Sequence, residues 1–318
     1  MDWIGDPAIG DWLRERLDDD LGVVPRGFTA YARILHPAQV RSLPDRAVPT
    51  SAEWERMPEA EREILFDRLV DEPATWAEAA DAFGTALHPL AQWRRIVRTP
   101  PEEDWNLRIA PDGREFTSPD EGVIGPDLFA AIAQHLAAHT ATPDAGVAAV
   151  WEGWGGLVGF FGESPSRAFF QLGAEPAHER MLQQSIHDPF NNPFRKPAWQ
   201  PGILSDEISK APRLELPGRE YVTFTAGASS FADPAWVTGA PWRDRPAEEH
   251  GFAVSAQHPN LLWPEDHAWV MVSEIDFDST IVAGSAALID ALIADPALEA
   301  FAIAEDADLT WDGDEVNG

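Results

Sequence analysis

Residues 261–294, LLWPEDHAWVMVSEIDFDSTIVAGSAALIDALIA, leave this chain little choice of local structure. From His267 to Phe277 the residues alternate: Trp269, Met271, Ser273, Ile275 and Phe277 fall on one face of a strand. Ala268, Val270, Val272, Glu274, Asp276 and Asp278 fall on the other. The second face begins apolar and ends in three carboxylates, spaced about 6.5–7 Å along the strand axis. Asp278-Ser279 reads as a turn, Thr280 to Ala283 as a short return strand, and Gly284 as a break. Ser285 then suits a helix N-cap, because its hydroxyl can accept from a free N–H of the first turn. Leu288, Ile289, Leu292 and Ile293 make an apolar helical stripe, and Asp295-Pro296 stops the helix. The pattern predicts that Val270, Val272, Ile275, Leu288, Ile289 and Leu292 are buried together.

The remaining chain supplies further strands and helices without strict alternation. Residues 27–35, 147–154 and 219–225 read as strands, the last with Val222 and Phe224 on one face. Residues 6–17, helices over 51–98, a helix opened by Pro126 and another over 178–186 carry apolar stripes. Ser51 and Pro89 are expected at helix starts, and residues 99–125 read as a long loop. The expected fold class is α+β, with a mixed or mainly antiparallel sheet. Its helices cluster in the N-terminal half, and one C-terminal helix packs on the sheet. The expected organisation is one domain over 1–304, with a helix-rich region over residues 1–139, a linker 140–146 and a strand-rich region over residues 147–304. An acidic mobile tail follows at 305–318.

Composition narrows the function. With 318 residues, 44% of them hydrophobic, the chain can bury a substantial core. It has no cysteine, so disulfides, thiolate metal sites and a cysteine nucleophile are excluded. The net charge of −31 opposes nucleic acid and anionic membrane, both of which are bound through Lys and Arg. No apolar run is long enough to span a bilayer, and the first residues lack the basic start and apolar core of a signal peptide. These features predict a cytoplasmic protein whose partner is another protein, a basic one being the natural fit to such charge, with neither nucleic acid nor membrane involved.

Three segments, GFTAYARILHP from Gly27, VWEGWGG from Val150 and PNLLWPEDHAWVMVSEIDFDSTIVAGS from Pro259, resemble an uncharacterised group of hypothetical proteins from GC-rich actinomycete bacteria. The resemblance runs over most of the chain and implies a bacterial cytoplasmic origin. It implies no activity.

No catalytic set is complete, so the catalytic residues stay unassigned. Ile275 to Thr280, IDFDST, resembles the first motif of the haloacid dehalogenase-like phosphatases, with Asp276 as nucleophile and Asp278 as acid/base. The family's lysine and later acidic motif are missing, since none of the residues after Thr280 is a lysine. Oxygen ligands at Glu274, Asp276 and Asp278 suit a divalent cation, but one strand face supplies too few of them. Glycoside chemistry needs two carboxyl groups across a cleft. Glu152, between Trp151 and Trp154, could face Glu274 only if their strands were neighbours. His36, His88 and His258 each precede proline and are expected at turn ends; no metal and no cofactor is expected. The ligand-binding candidates are Trp151, Glu152, Trp154, Trp263, Glu274, Asp276 and Asp278. The expectation is a non-enzymatic acidic binding protein, and the alternative a hydrolase with a carboxylate site at Glu274 and Asp276.

Overall fold

The computed structural model describes residues 1–17, 24–100, 103–163 and 197–318. The helix expected over 178–186 lies outside the described residues. In chain order the strands are β1 (Trp3–Ile4), β2 (Ala30–Leu35), β3 (Ala38–Ser42), β4 (Val70–Ala74), β5 (Leu107–Ile109), β6 (Glu115–Thr117), β7 (Gly146–Trp151) and β8 (Phe160–Gly162). They continue with β9 (Ala198–Gln200), β10 (Leu214–Leu216), β11 (Arg219–Thr225), β12 (Leu261–Pro264), β13 (Val270–Val272), β14 (Ser279–Gly284) and β15 (Ala300–Ile303). The large sheet runs β1-β11-β7-β12-β13-β14-β2-β15, with β10 also on β11, and the pairs are antiparallel. A smaller antiparallel sheet runs β4-β3-β6-β5. The fold is α+β.

Alternation along each strand gives the large sheet two buried faces. Ala32, Ile34, Ala148, Val150, Val222, Phe224, Leu262, Met271 and Val282 share one core. That core includes Phe129, Ile132 and Leu136 of the helix Pro126–Ala138, and Leu288, Ile289 and Leu292 of the helix Ala286–Ala294. Tyr31, Val147, Ala149, Tyr221, Leu261, Trp263, Val270, Val272 and Ala283 form the opposite core, which Leu13 completes. The expectation that Val270 and Val272 pack with the C-terminal helix is therefore corrected. Trp269 and Met271 take that place, and Ile275 is only half-buried.

The strand expected over 267–277 is shorter. It begins at Val270 and ends at Val272, and the N–H of Phe277 donates to the Glu274 carbonyl at 3.3 Å, closing a turn. Ser279 belongs to β14 rather than to the turn, and Gly284 is the last strand residue rather than a break. A side chain at Gly284 would crowd Leu288 and Trp269. Ser285 does cap the last helix, accepting from the Leu288 N–H at 3.3 Å.

The chain leaves the large sheet for the small one at His36-Pro37, between β2 and β3. A second core forms there around Trp76, Phe83, Trp93, Ile96 and Phe116. Residues 1–139, expected to be helix-rich, also carry β1 to β6, and residues 99–125 hold β5 and β6 instead of a plain loop. β4 is polar and exposed, and Pro73 sits in it because an edge strand tolerates a missing donor. Thr50 rather than Ser51 caps the helix Ser51–Arg56, in a reciprocal pair with Glu53. Pro89 lies in a turn closed by the Ala91 N–H on the His88 carbonyl, and the helix there begins only at Trp93. The large sheet takes strands from both sides of 140–146.

The acidic segment 305–318 is packed rather than free. Glu305 accepts from the Gly27 N–H and the Tyr31 hydroxyl, and Leu309 is buried. Asp314, 2% exposed, takes the Gln92 N–H at 3.1 Å and lies 2.8 Å from His88 Nε2. Asn317 exchanges two hydrogen bonds with the Ala86 backbone. Among the described residues, no helix is long and apolar enough to cross a membrane.

Candidate functional site

The β13–β14 turn, the docked segment 309–311 and the start of the helix Trp93–Ile96 converge on one cleft. Its volume is about 230 Å³. Gln92, Trp93, Arg94, Trp105, Glu121, Asp276, Phe277 and Asp278 line the cleft. Leu309, Thr310 and Trp311 complete it.

Each wall has a local cause. The 309–311 segment is shaped by Asp308, whose carboxylate caps the Thr310 N–H at 2.9 Å, and by the Leu309 carbonyl, which accepts from Gln92 Nε2 at 3.2 Å. Trp311 meets Trp105 edge-to-face at 6.0 Å between ring centroids, and the Arg94 guanidinium lies 5.1 Å from the Trp311 ring centre. Trp93 is 2% exposed, and its indole N–H has no hydrogen-bond partner. The Arg94 Nε is likewise unpartnered, and no carboxylate among the described residues lies within ion-pair distance of Arg94.

Glu121 arrives on a loop pressed against the β13–β14 turn. The N–H of Gly122 donates to the Phe277 carbonyl at 2.8 Å. Gly122 has φ +64°, and any Cβ there would stand 2.4 Å from the Ile275 Cα, so glycine is required twice over. Two buried histidines hold the loop from beneath. His36 Nδ1 lies 3.2 Å from the Asp120 carbonyl, and His258 Nε2 lies 2.9 Å from the Gly122 carbonyl. A carbonyl can only accept, so His36 Nδ1 carries the proton, whereas His258 faces a carbonyl from each ring nitrogen, its Nδ1 lying 2.9 Å from the Pro259 carbonyl. His36 Nε2 lies 2.9 Å from the Thr280 hydroxyl, which itself contacts Ser273 Oγ at 3.1 Å. Burial pushes the His36 pKa down to about 3, and burial lowers that of His258 too. The His36 ring is a neutral prop.

Asp278 sits between the cleft and a buried cation. Arg33 is fully buried in β2, donates to Ser279 Oγ at 2.9 Å and to the carbonyls of Pro89 and Ala91 at 3.1 and 2.8 Å, and reaches Asp278 Oδ1 at 3.3 Å. Burial holds the Asp278 carboxyl above the usual carboxylate range, and Arg33 pulls it some of the way back. Glu121 is raised by desolvation and then by Asp278 and Asp276.

The row of three carboxylates expected on one strand face is therefore divided. Glu274 and Asp276 both accept from Arg219, Glu274 at 2.8 Å and Asp276 at 2.6 Å, while Asp278 turns to Arg33. Glu274 is 8% exposed and lies outside the cleft. Trp151 carries Arg219 over its ring and meets Trp154 edge-on. Both Trp residues donate to Asn260 Oδ1, Trp151 through its backbone N–H and Trp154 through its indole. Glu152 is bound by Arg213 at 2.9 Å and lines a separate depression with Arg219 and Glu220. Its hydrogen bond to Glu220 raises the Glu220 pKa. β12 lies between β7 and β13, so Glu152 and Glu274 are not on neighbouring strands. Trp263 is 1% exposed and packs edge-on against Trp12. Of the seven candidates, Asp276 and Asp278 alone line the cleft.

Among the described residues, no group of three His, Cys, Asp or Glu side chains could hold a metal ion. Asp276 and Asp278 also lie in the turn after β13, which ends at Val272, and not at the end of a strand as the dehalogenase-like motif implies. No protein-family model matches this chain, and no curated protein or solved structure matches it significantly.

Asp276 tests how the turn is held. Its side chain is 57% exposed and shares Arg219 with Glu274. Asp276→Asn should change unfolding free energy by less than about 1 kcal/mol, as for exposed ion pairs generally. A gain of several kcal/mol in urea unfolding would instead reveal stored repulsion among the carboxylates.

Proposed function

We propose that this is a non-enzymatic binding protein whose cleft takes an organic cation, such as the lysine or arginine side chain that a basic protein partner presents. The observation that carries this reading is the convergence of four aromatic side chains, Trp93, Trp105, Phe277 and Trp311, with the carboxylates of Glu121, Asp276 and Asp278. Aromatic faces attract cations by about 0.5–2 kcal/mol each, most strongly where water is excluded. Carboxylates add charge-assisted hydrogen bonds. The three carboxylates are not grouped to chelate a metal, which favours an ammonium or guanidinium. The cleft, at about 230 Å³, is smaller than typical drug-sized pockets of about 300–1,000 Å³, and so suits one side chain or a small amine. A net charge of −31 steers cations inward and repels nucleic acid and anionic membrane. The reading places the protein in the cytoplasm, in keeping with a chain free of cysteine.

Calorimetric titration with arginine and with agmatine should show saturable binding. Trp311→Ala and Glu121→Gln should each weaken it about tenfold. Absence of binding by both compounds at millimolar concentration, or undiminished binding in both variants, would sink the proposal.

A hydrolase remains the second reading, favoured by the raised pKa of Glu121 beside Asp276, which is the pattern of a general acid next to a carboxylate. It is the weaker one because Glu274 is clamped by Arg219 away from the cleft and Asp278 is balanced by Arg33.

A further inference from the structure

The cleft lining carries both signs of charge. Glu121, Asp276 and Asp278 bring carboxylates. Arg94 brings a guanidinium that no carboxylate of the described residues pairs with, although 54 acidic residues outnumber 23 basic ones in this chain. A purely cationic guest would gain from the carboxylates and lose against Arg94. A guest that also carries a carboxylate would gain from both. Arg94 is available for such a contact: its guanidinium lies 5.1 Å from the Trp311 ring centre and is paired with no carboxylate of the described residues. A guanidinium is the planar fork that carboxylates accept in paired hydrogen bonds.

Resting on the cationic-cleft reading, we infer that the ligand is a zwitterion: a basic group held by Glu121 and Asp276, and a carboxylate seated on Arg94. This chemistry belongs both to a free basic amino acid and to a basic residue at the C-terminus of a polypeptide.

The test is a calorimetric comparison of arginine, N-acetylarginine and argininamide on the full chain. N-acetylarginine keeps the guanidinium and the carboxylate and lacks the free α-amine, as a C-terminal residue does. Argininamide keeps the cation and lacks the carboxylate. Argininamide should bind at least about tenfold more weakly than arginine, from which it differs only at the carboxylate, the margin that one charge-assisted contact supplies. In Arg94→Gln that margin should vanish, while Arg94→Lys should keep some of it. Binding of N-acetylarginine as tight as that of arginine assigns the guest as a chain terminus; binding of arginine alone assigns it as a free amino acid, and both support the zwitterion. Binding of argininamide as tight as that of arginine to the wild-type protein, or a margin that survives in Arg94→Gln, overturns this inference and leaves the cationic cleft standing. Failure of all three compounds to bind overturns both.

Discussion

Acidification from about pH 7.5 to pH 5 should cost the fold about 2 kcal/mol through His36 alone, and about 3 kcal/mol by pH 4. The ring titrates near 6.5 when exposed, and burial carries it down to about 3 in the folded protein. Between those values the unfolded chain binds a proton that the folded chain refuses. Stability therefore rises with pH across this window and is lost as pH falls through it. Carboxylates add their own slopes. Asp314, Asp266 and Glu305, whose pKa values are lowered, lose stability toward acid, while Asp278 and Glu121, raised, gain it. The measurement that isolates the histidine is the difference between wild type and His36→Gln, in which the shared carboxylate terms cancel. Glutamine can donate to the Asp120 carbonyl and keep a polar contact with Thr280. Its urea midpoint should fall less steeply with pH. Parallel pH profiles for the two proteins would show that His36 is not held neutral.

Arg33→Met should destabilise the protein by about 3–5 kcal/mol, the range for breaking a buried ion pair by removing one partner. The loss has several sources. The carbonyls of Pro89 and Ala91 and the Ser279 hydroxyl lose their donor, and Asp278 loses its countercharge. Asp278 reaches the cleft with only 17% of its side-chain surface, so water replaces Arg33 poorly. The double variant Arg33→Met, Asp278→Asn should recover some of the loss, because no uncompensated carboxylate remains. Denaturant unfolding of the singles and the double gives the coupling directly. A cost below about 1 kcal/mol for Arg33→Met would mean that the guanidinium finds water in the folded protein.

Regular patterns were legible where one rule governed a whole element. β11 follows its alternation residue for residue over Arg219–Thr225, and the last helix starts after its Ser285 cap and stops before Asp295-Pro296. Alternation misled at 273–278, because a turn can repeat the polar-apolar order of a strand without its geometry. Asp276 and Asp278 were singled out by that argument, yet they reach the cleft from a turn. β4, β5 and β6 were hidden by polarity and shortness. The cleft itself was out of reach, since residues 92–94, 105, 121, 276–278 and 309–311 meet only through tertiary packing. Arg33 did leave a trace: a lone cation between Ala32 and Ile34 in an otherwise apolar strand end. The acidic composition of 305–318 suggested a free tail, but its carboxylates spend themselves on backbone N–H groups.

The place of β2 in the sheet bears on how the chain reaches its fold. β2 is formed by residues 30–35, yet its two neighbours are β14 and β15, more than 240 residues later. During synthesis its apolar edges have nothing to pair with until nearly the whole described chain has emerged. β1 waits in the same way for β11. Closure of such distant loops makes folding slow, because the entropy of bringing the ends together is lost before any contact repays it. A nascent chain of this topology holds an unpaired strand in solution for many seconds at ribosomal speeds of about 5–20 residues per second. In that interval a strong negative charge keeps copies apart, a kinetic safeguard against aggregation that is separate from any ligand.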